Sequence, residues 1–162
     1  MKENFPAEGT RRLETATDTQ GFGRELGASL EAGDVVILDG PLGAGKTTLT
    51  QGLAGGLGVT GRVTSPTFVI AREHPSATDG PALIHMDAYR LVGESGDPVG
   101  ELDALDLDTE LESAVVVAEW GGGLVEQIAE TYLFVSLDRT TAVEQDPDSE
   151  ARIVSWGIRR PV

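Results

Sequence analysis

Cysteine is absent from the 162-residue chain, and lysine occurs only at positions 2 and 46. Without thiols there is neither a disulfide framework nor a thiolate metal site, which suits a reducing compartment. No apolar run approaches the roughly 18 residues of a membrane-spanning helix, so no membrane association is expected. The N-terminal stretch MKENFPAEGTRRLETATD is polar and lacks the apolar centre of a secretory signal. Together these absences predict a cytoplasmic protein. Positive charge is scarce as well: 12 Lys and Arg face 27 Asp and Glu, for a formal net charge of −15. An RNA or DNA surface needs clustered cations. Any service to a nucleic-acid pathway is therefore expected to run through a protein partner. Solubility alone accounts for the acidity otherwise.

What is present fits a single domain over residues 1–162, with 40% apolar residues to fill one core. Residues 1–12 read as a loose leader. Phe22, Leu26 and Leu30 recur every fourth residue and predict a helix over 18–32, with Asp18 as N-cap and Gly33 as the stop. The aliphatic run Val35-Val36-Ile37-Leu38 opens onto glycines and reads as a buried strand. A second helix is expected over 46–57, with Leu49, Leu53 and Leu57 on one side and Gly58 at its end. Further strands are expected at 68–72, 82–86 and 114–118. The last two run into acids, Asp87 and Glu119. The acidic stretch 93–113 reads as loop plus short helix, and a weaker helix is expected over 124–130. Segments 132–137 and 152–156 read as a closing antiparallel pair, joined by an acidic, mobile loop over 138–150. This order predicts an α/β fold with a mainly parallel central sheet flanked by helices.

The run Gly40-Pro41-Leu42-Gly43-Ala44-Gly45-Lys46-Thr47 matches G-x-x-x-x-G-K-[ST] at every fixed position. Its setting matters more than the match, because an aliphatic strand precedes it and a leucine-striped helix follows. Glycines let the backbone curl with its N–H groups inward, and the positive end of the following helix adds to them. Such a cradle suits a polyphosphate, which makes the fold a P-loop NTPase. Lys46 would reach the β- and γ-phosphates, Thr47 would offer a hydroxyl to Mg²⁺, and Thr48 could donate to the α-phosphate. A compact ammonium fits this nest where a guanidinium does not, so one of two lysines in an arginine-preferring chain stands where arginine would serve badly.

A hydrolysing site of this type also needs a carboxylate near the metal. Asp87 and Glu119 both end strands that would deliver them to the edge of the sheet carrying the P-loop, and either could face the phosphates or cap a loop. The segment Thr64-Ser65-Pro66-Thr67-Phe68 lies where a switch segment is often placed, and Thr67 could reach the γ-phosphate; a plain turn before a strand explains it equally well. His85 reads as a packed strand residue, Arg90 as a partner in an ion pair, and Trp120 as either a cover for the site or a core residue.

Taken in order, Leu42-Gly43-Ala44-Gly45-Lys46-Thr47-Thr48, Ser65-Pro66-Thr67-Phe68, His85-Met86-Asp87-Ala88-Tyr89-Arg90-Leu91 and Glu119-Trp120 resemble the TsaE (YjeE) family of bacterial P-loop ATPases over about residues 13–137. The resemblance implies ATP and Mg²⁺ as ligands and weak hydrolysis by the protein alone. It implies action with TsaD and TsaB in the threonylcarbamoyl modification of adenosine 37, with tRNA met only through that complex. It further implies catalytic or phosphate-contacting roles for Lys46, Asp87 and Glu119, and Mg²⁺ held by Thr47 and Glu119. Thr67 would belong to a switch-like loop, and Trp120 would lie near nucleotide or partner. Pro41, His74 and Ala88 depart from the usual family residues without removing a phosphate or metal group. Two other readings use the same P-loop: a small-molecule kinase, and a nucleotide sensor that does not hydrolyse. The kinase would need an arginine-rich lid, and residues 93–113 contain no Arg or Lys.

Overall fold

The computed structural model describes residues 1–3, 5–41, 43–59, 71–87, 111–119 and 131–160. Its seven strands are β1 (Glu8–Leu13), β2 (Val35–Asp39), β3 (Ala71–His74), β4 (Ala82–Asp87), β5 (Ala114–Glu119), β6 (Tyr132–Asp138) and β7 (Arg152–Arg159). The helices among the described residues are α1 (Ala16–Ser29), α2 (Lys46–Leu57) and α3 (Thr140–Gln145). All strands join one sheet in the order β1-β7-β6-β2-β5-β4-β3. The four central strands, β6, β2, β5 and β4, are parallel. Antiparallel strands close both edges: β3 on β4, β7 on β6, and β1 on β7.

The parallel centre follows from the aliphatic runs. Val35 to Leu38 and Ala114 to Ala118 are buried on both faces, as strands covered on two sides must be. Alternate side chains divide between two clusters. Val36, Leu38, Val115 and Val117 face the helices α1 and α2, whereas Val35, Ile37, Val116 and Ala118 face the other side.

The helix α1 begins at Ala16, two residues before the expected N-cap. Thr15 is the N-cap: its hydroxyl accepts from the Asp18 N–H while its own N–H donates to the Asp18 carboxylate. Both residues are good caps, and the reciprocal bonds decide their roles by making Asp18 the third helical residue. Leu30 closes the helix, ahead of the turn at Gly33.

Three further differences concern chain segments. The expected leader over 1–12 is in large part β1, which pairs with β7 from Glu8↔Gly157 to Leu13↔Arg152. Phe5 is buried against Phe22 and Trp156, and the Trp156 indole N–H donates to the Pro6 carbonyl at 3.0 Å. The expected loop over 138–150 contains α3, whose start is tied by Thr141 donating to the Asp138 carboxylate from its amide and its hydroxyl. The expected strand at 68–72 is observed as Ala71–His74; residues 68–70, the expected helix over 124–130 and most of 93–113 lie outside the described residues.

Two pairs of glycines set the distance between α1 and α2. A Cβ on Gly23 or Gly27 would collide with the backbone of Leu49 or Leu53, and one on Gly52 or Gly56 with the backbone of Gln20 or Arg24. The helix that follows the glycine loop is thereby seated backbone against backbone on its neighbour.

Candidate functional site

The strand β2 ends at Asp39, and the chain turns through Gly40 and Pro41 to enter α2 at Lys46. Leu42 lies outside the described residues. Gly43 (φ 80°) and Gly45 (φ 104°) hold left-handed conformations that a side chain would strain. Ala44 is fully buried and its N–H donates to the Pro41 carbonyl at 3.0 Å, which closes the curl. The first amides of α2 have no partner inside the helix, as at any helix start, and the helix dipole adds positive potential there. Lys46 bends back over the loop, and its Nζ donates to the Gly40 carbonyl at 2.8 Å. Thr47 and Thr48 are half-buried in the first turn, and the Thr50 hydroxyl is turned inward onto the Lys46 carbonyl.

The sheet register decides which acid stands beside this loop. Glu119 pairs with Leu38 on one side and with Asp87 on the other. The two acids therefore lie next to each other at the same end of adjacent parallel strands, one strand and two strands from the P-loop. Glu119 is buried, 8% exposed. Its Oε1 lies 3.9 Å from Nε2 of His85, which is wholly buried. Burial holds the His85 pKa down to about 4, with the charges of His74 and Arg72 adding to the effect, so the imidazole is neutral near pH 7.

Of the residues singled out in the sequence, the structure brings together Gly40, Pro41, Gly43, Ala44, Gly45, Lys46, Thr47, Thr48 and Glu119. It places the backbone of Asp87 beside Glu119. Thr67, Arg90 and Trp120 lie outside the described residues. Sequence reading missed Arg139 and Arg152. The Arg152 guanidinium donates to the carbonyls of Ala44 at 3.1 Å and Gly43 at 3.3 Å. An Arg139 nitrogen lies 3.1 Å from where a Cβ on Gly43 would stand. Only the absence of a side chain at position 43 leaves that room, and no local pattern links 43 to 139 or 152.

Among the described residues no group of three or more His, Asp or Glu could hold a metal by itself. Mg²⁺ commonly takes one or two protein oxygens and completes its shell with phosphate and water. The threonine hydroxyl at the helix start and the carboxylate on the adjoining strand are donors of that kind. The glycine loop, whose bends a Cβ would obstruct, fits a phosphate chain.

A sheet with a parallel core, a glycine loop between its central strand and the following helix, one lysine at the helix start and a carboxylate on the next strand together define a P-loop nucleotide-binding fold. Residues 13–147 match the model of the family described as "Threonylcarbamoyl adenosine biosynthesis protein TsaE". The chain belongs to the TsaE family. It is 50% identical over 154 residues to the tRNA threonylcarbamoyladenosine biosynthesis protein TsaE of Mycobacterium tuberculosis, covering 94% of this chain and 88% of the relative. The protein of the same name from Streptomyces coelicolor is 52% identical over 138 residues, 85% of this chain and 90% of the relative. Among solved structures, Bacillus subtilis YdiB superimposes with a TM-score of 0.66 at 29% identity, over 92% of this chain and 84% of that one. No helix among the described residues is long and apolar enough to cross a membrane.

Proposed function

We propose that this protein is a magnesium-dependent ATPase that serves the threonylcarbamoyl modification of adenosine 37 in tRNA, acting in the cytoplasm with TsaD and TsaB. The chain acts as one domain, and tRNA is met only through the complex. The observation that carries the reading is the register Leu38↔Glu119, which sets a buried carboxylate one strand away from a lysine-bearing glycine loop. Names of relatives that are half identical over most of the chain support the pathway.

In this reading the loop amides from Gly43 to Thr48 and the Lys46 ammonium bind the phosphate chain. Thr47 and Glu119 hold Mg²⁺, which when bound neutralises charge on the phosphates and orients them. Asp87, beside Glu119, orients the attacking water or the metal's own water shell. Thr67 is assigned to a switch-like segment and Trp120 to the vicinity of nucleotide or partner by the family resemblance alone; both lie outside the described residues. The acidic surface, with a net charge of −15, is poorly suited to grip RNA directly, which favours a role through protein partners.

Calorimetry with ATP and Mg²⁺ tests the binding half. Binding to the parent protein should be lost, by roughly a hundredfold or more, in Lys46→Ala, because the substitution deletes the cation that lies within the loop. Unchanged affinity would refute the assignment. Phosphate release measured with and without the TsaD–TsaB complex tests the other half: stimulation by the complex supports the ATPase reading, and binding without any release in either case rejects it.

A further inference from the structure

A buried imidazole stands beside the buried acid of the site. His85 of β4 is wholly enclosed, and among the described residues neither its Nδ1 nor its Nε2 has a hydrogen-bond partner. Its neighbours on the face covered by α1 and α2 are aliphatic: Leu83 on the same strand, and Val115 and Val117 on β5. A leucine at position 85 would join them and leave no polar atom unpaired. Each unpaired buried donor or acceptor costs about 1–3 kcal/mol, so an imidazole here needs a reason. The register supplies one. His85 is paired with Val117, and the next pair on the same face is Asp87 with Glu119. The imidazole therefore lies diagonally from the Glu119 carboxylate, with Nε2 3.9 Å from Oε1.

That separation is about 1 Å longer than a hydrogen bond, and a small turn of either side chain closes it. Burial keeps the ring neutral near pH 7. A neutral imidazole has one N–H and one accepting nitrogen, whereas an ionised carboxylate only accepts. The two are complementary when the proton sits on Nε2. A bond of this kind fixes the orientation of a side chain that must face a metal. His74 of β3 provides the contrast. It is buried on the same face with its Nε2 unpartnered, but it is paired with Leu83, further from the end of the sheet that carries the acids.

Resting on the nucleotide-binding reading above, we infer that His85 is a positioning residue for Glu119: its Nε2–H turns to the carboxylate and sets the direction in which Glu119 is offered to Mg²⁺. The imidazole touches neither metal nor nucleotide and acts through Glu119 alone.

The test uses the full-length protein, and its first arm needs no ligand. Nitrogen-15 NMR of the metal-free protein should show the His85 proton on Nε2, with a shift that moves in Glu119→Gln and stays in place in His74→Leu. A proton on Nδ1, or an Nε2–H indifferent to Glu119→Gln, would overturn the contact. The second arm measures ATP affinity by calorimetry and phosphate release with Mg²⁺ and the TsaD–TsaB complex present. His85→Leu should lower release roughly tenfold and leave ATP affinity within about twofold of the parent value. His85→Gln, whose amide nitrogen falls near the place of Nε2, should recover most of the loss, and His74→Leu should show none. In a Glu119→Gln background, His85→Leu should have no further effect. Release unchanged in His85→Leu, a loss of affinity equal to the loss of release, or glutamine no better than leucine would each overturn the positioning role. If the parent protein binds no ATP or releases no phosphate, the ATPase reading itself fails, while the NMR arm still shows whether His85 meets Glu119.

Discussion

Gly52 of α2 stands against the carbonyl oxygen of Gln20 in α1, so close that a Cβ would meet backbone. The same is true of Gly56 against Arg24, and in the reverse direction of Gly23 and Gly27 against Leu49 and Leu53. The helix that follows the glycine loop is thus held by four positions that admit no side chain.

Gly52→Ala should therefore destabilise the protein by about 2 kcal/mol, since overpacking against immobile backbone outweighs the roughly 1 kcal/mol gained in helix propensity. Gly55 lies on the same helix with nothing within 4 Å of a built Cβ. Gly55→Ala should instead stabilise it by up to about 1 kcal/mol. Urea denaturation of the two variants, compared with the parent, reads opposite signs if the crossing is as close as described; a gain from both substitutions would contradict it.

Glu119→Gln should separate binding from turnover. The amide keeps the size of the side chain but loses the charge that the proposed Mg²⁺ site uses, so ATP affinity should fall less than fivefold while phosphate release falls roughly a hundredfold or more. A malachite-green assay with the TsaD–TsaB complex present checks this. Parental rates in the variant would remove Glu119 from the reaction.

His85 gives the protein an acid-side weakness. Its folded pKa of about 4 lies below the value near 6.5 of an unfolded histidine. Between those values the unfolded chain binds more protons, so stability falls as pH drops through that window and the loss is complete below about 4. Between about pH 7 and pH 5 the loss from this residue should be about 2 kcal/mol. Chemical denaturation of metal-free parent and His85→Asn at both pH values measures it as a difference: the variant should lose less stability than the parent on acidification. Identical losses would mean that His85 takes up its proton without unfolding.

Thr15→Ala should cost about 1 kcal/mol by removing the acceptor for the Asp18 amide at the start of α1. Asp18→Ala should cost less, because the bond it accepts, from the Thr15 N–H, is longer at 3.3 Å. Thermal melts rank the two, and a larger loss at position 18 would restore Asp18 as the principal cap.

Much of the fold was legible because local patterns carried it. The aliphatic runs of β2, β4 and β5 and the leucine stripe of α2 placed those elements nearly to the residue, and Gly58 ends α2 as expected, with φ 82°. Other elements had no local signal. The strand β1, EGTRRL, is mostly exposed, with only Leu13 buried, so its side chains do not alternate as a half-buried strand's do. It is a strand because β7 offers it a ladder more than a hundred residues away. The acidic segment before β7 read as loop because its composition is polar, yet the short helix α3 forms where Asp138 accepts from Thr141.

The sequence by itself determined the cradle: glycines at 43 and 45 that tolerate left-handed turns, one ammonium at the helix start, and a strand before it too apolar to lie anywhere but the centre. These are short-range requirements, met by neighbours in the chain. The tertiary structure alone decided that Glu119 lies directly across from Leu38, that two glycine pairs let α2 settle onto α1, and that Arg152 reaches back 109 residues to the carbonyl of Gly43. Sheet register and helix crossing join segments that carry no mark of one another, so such contacts exist only once the whole core has closed.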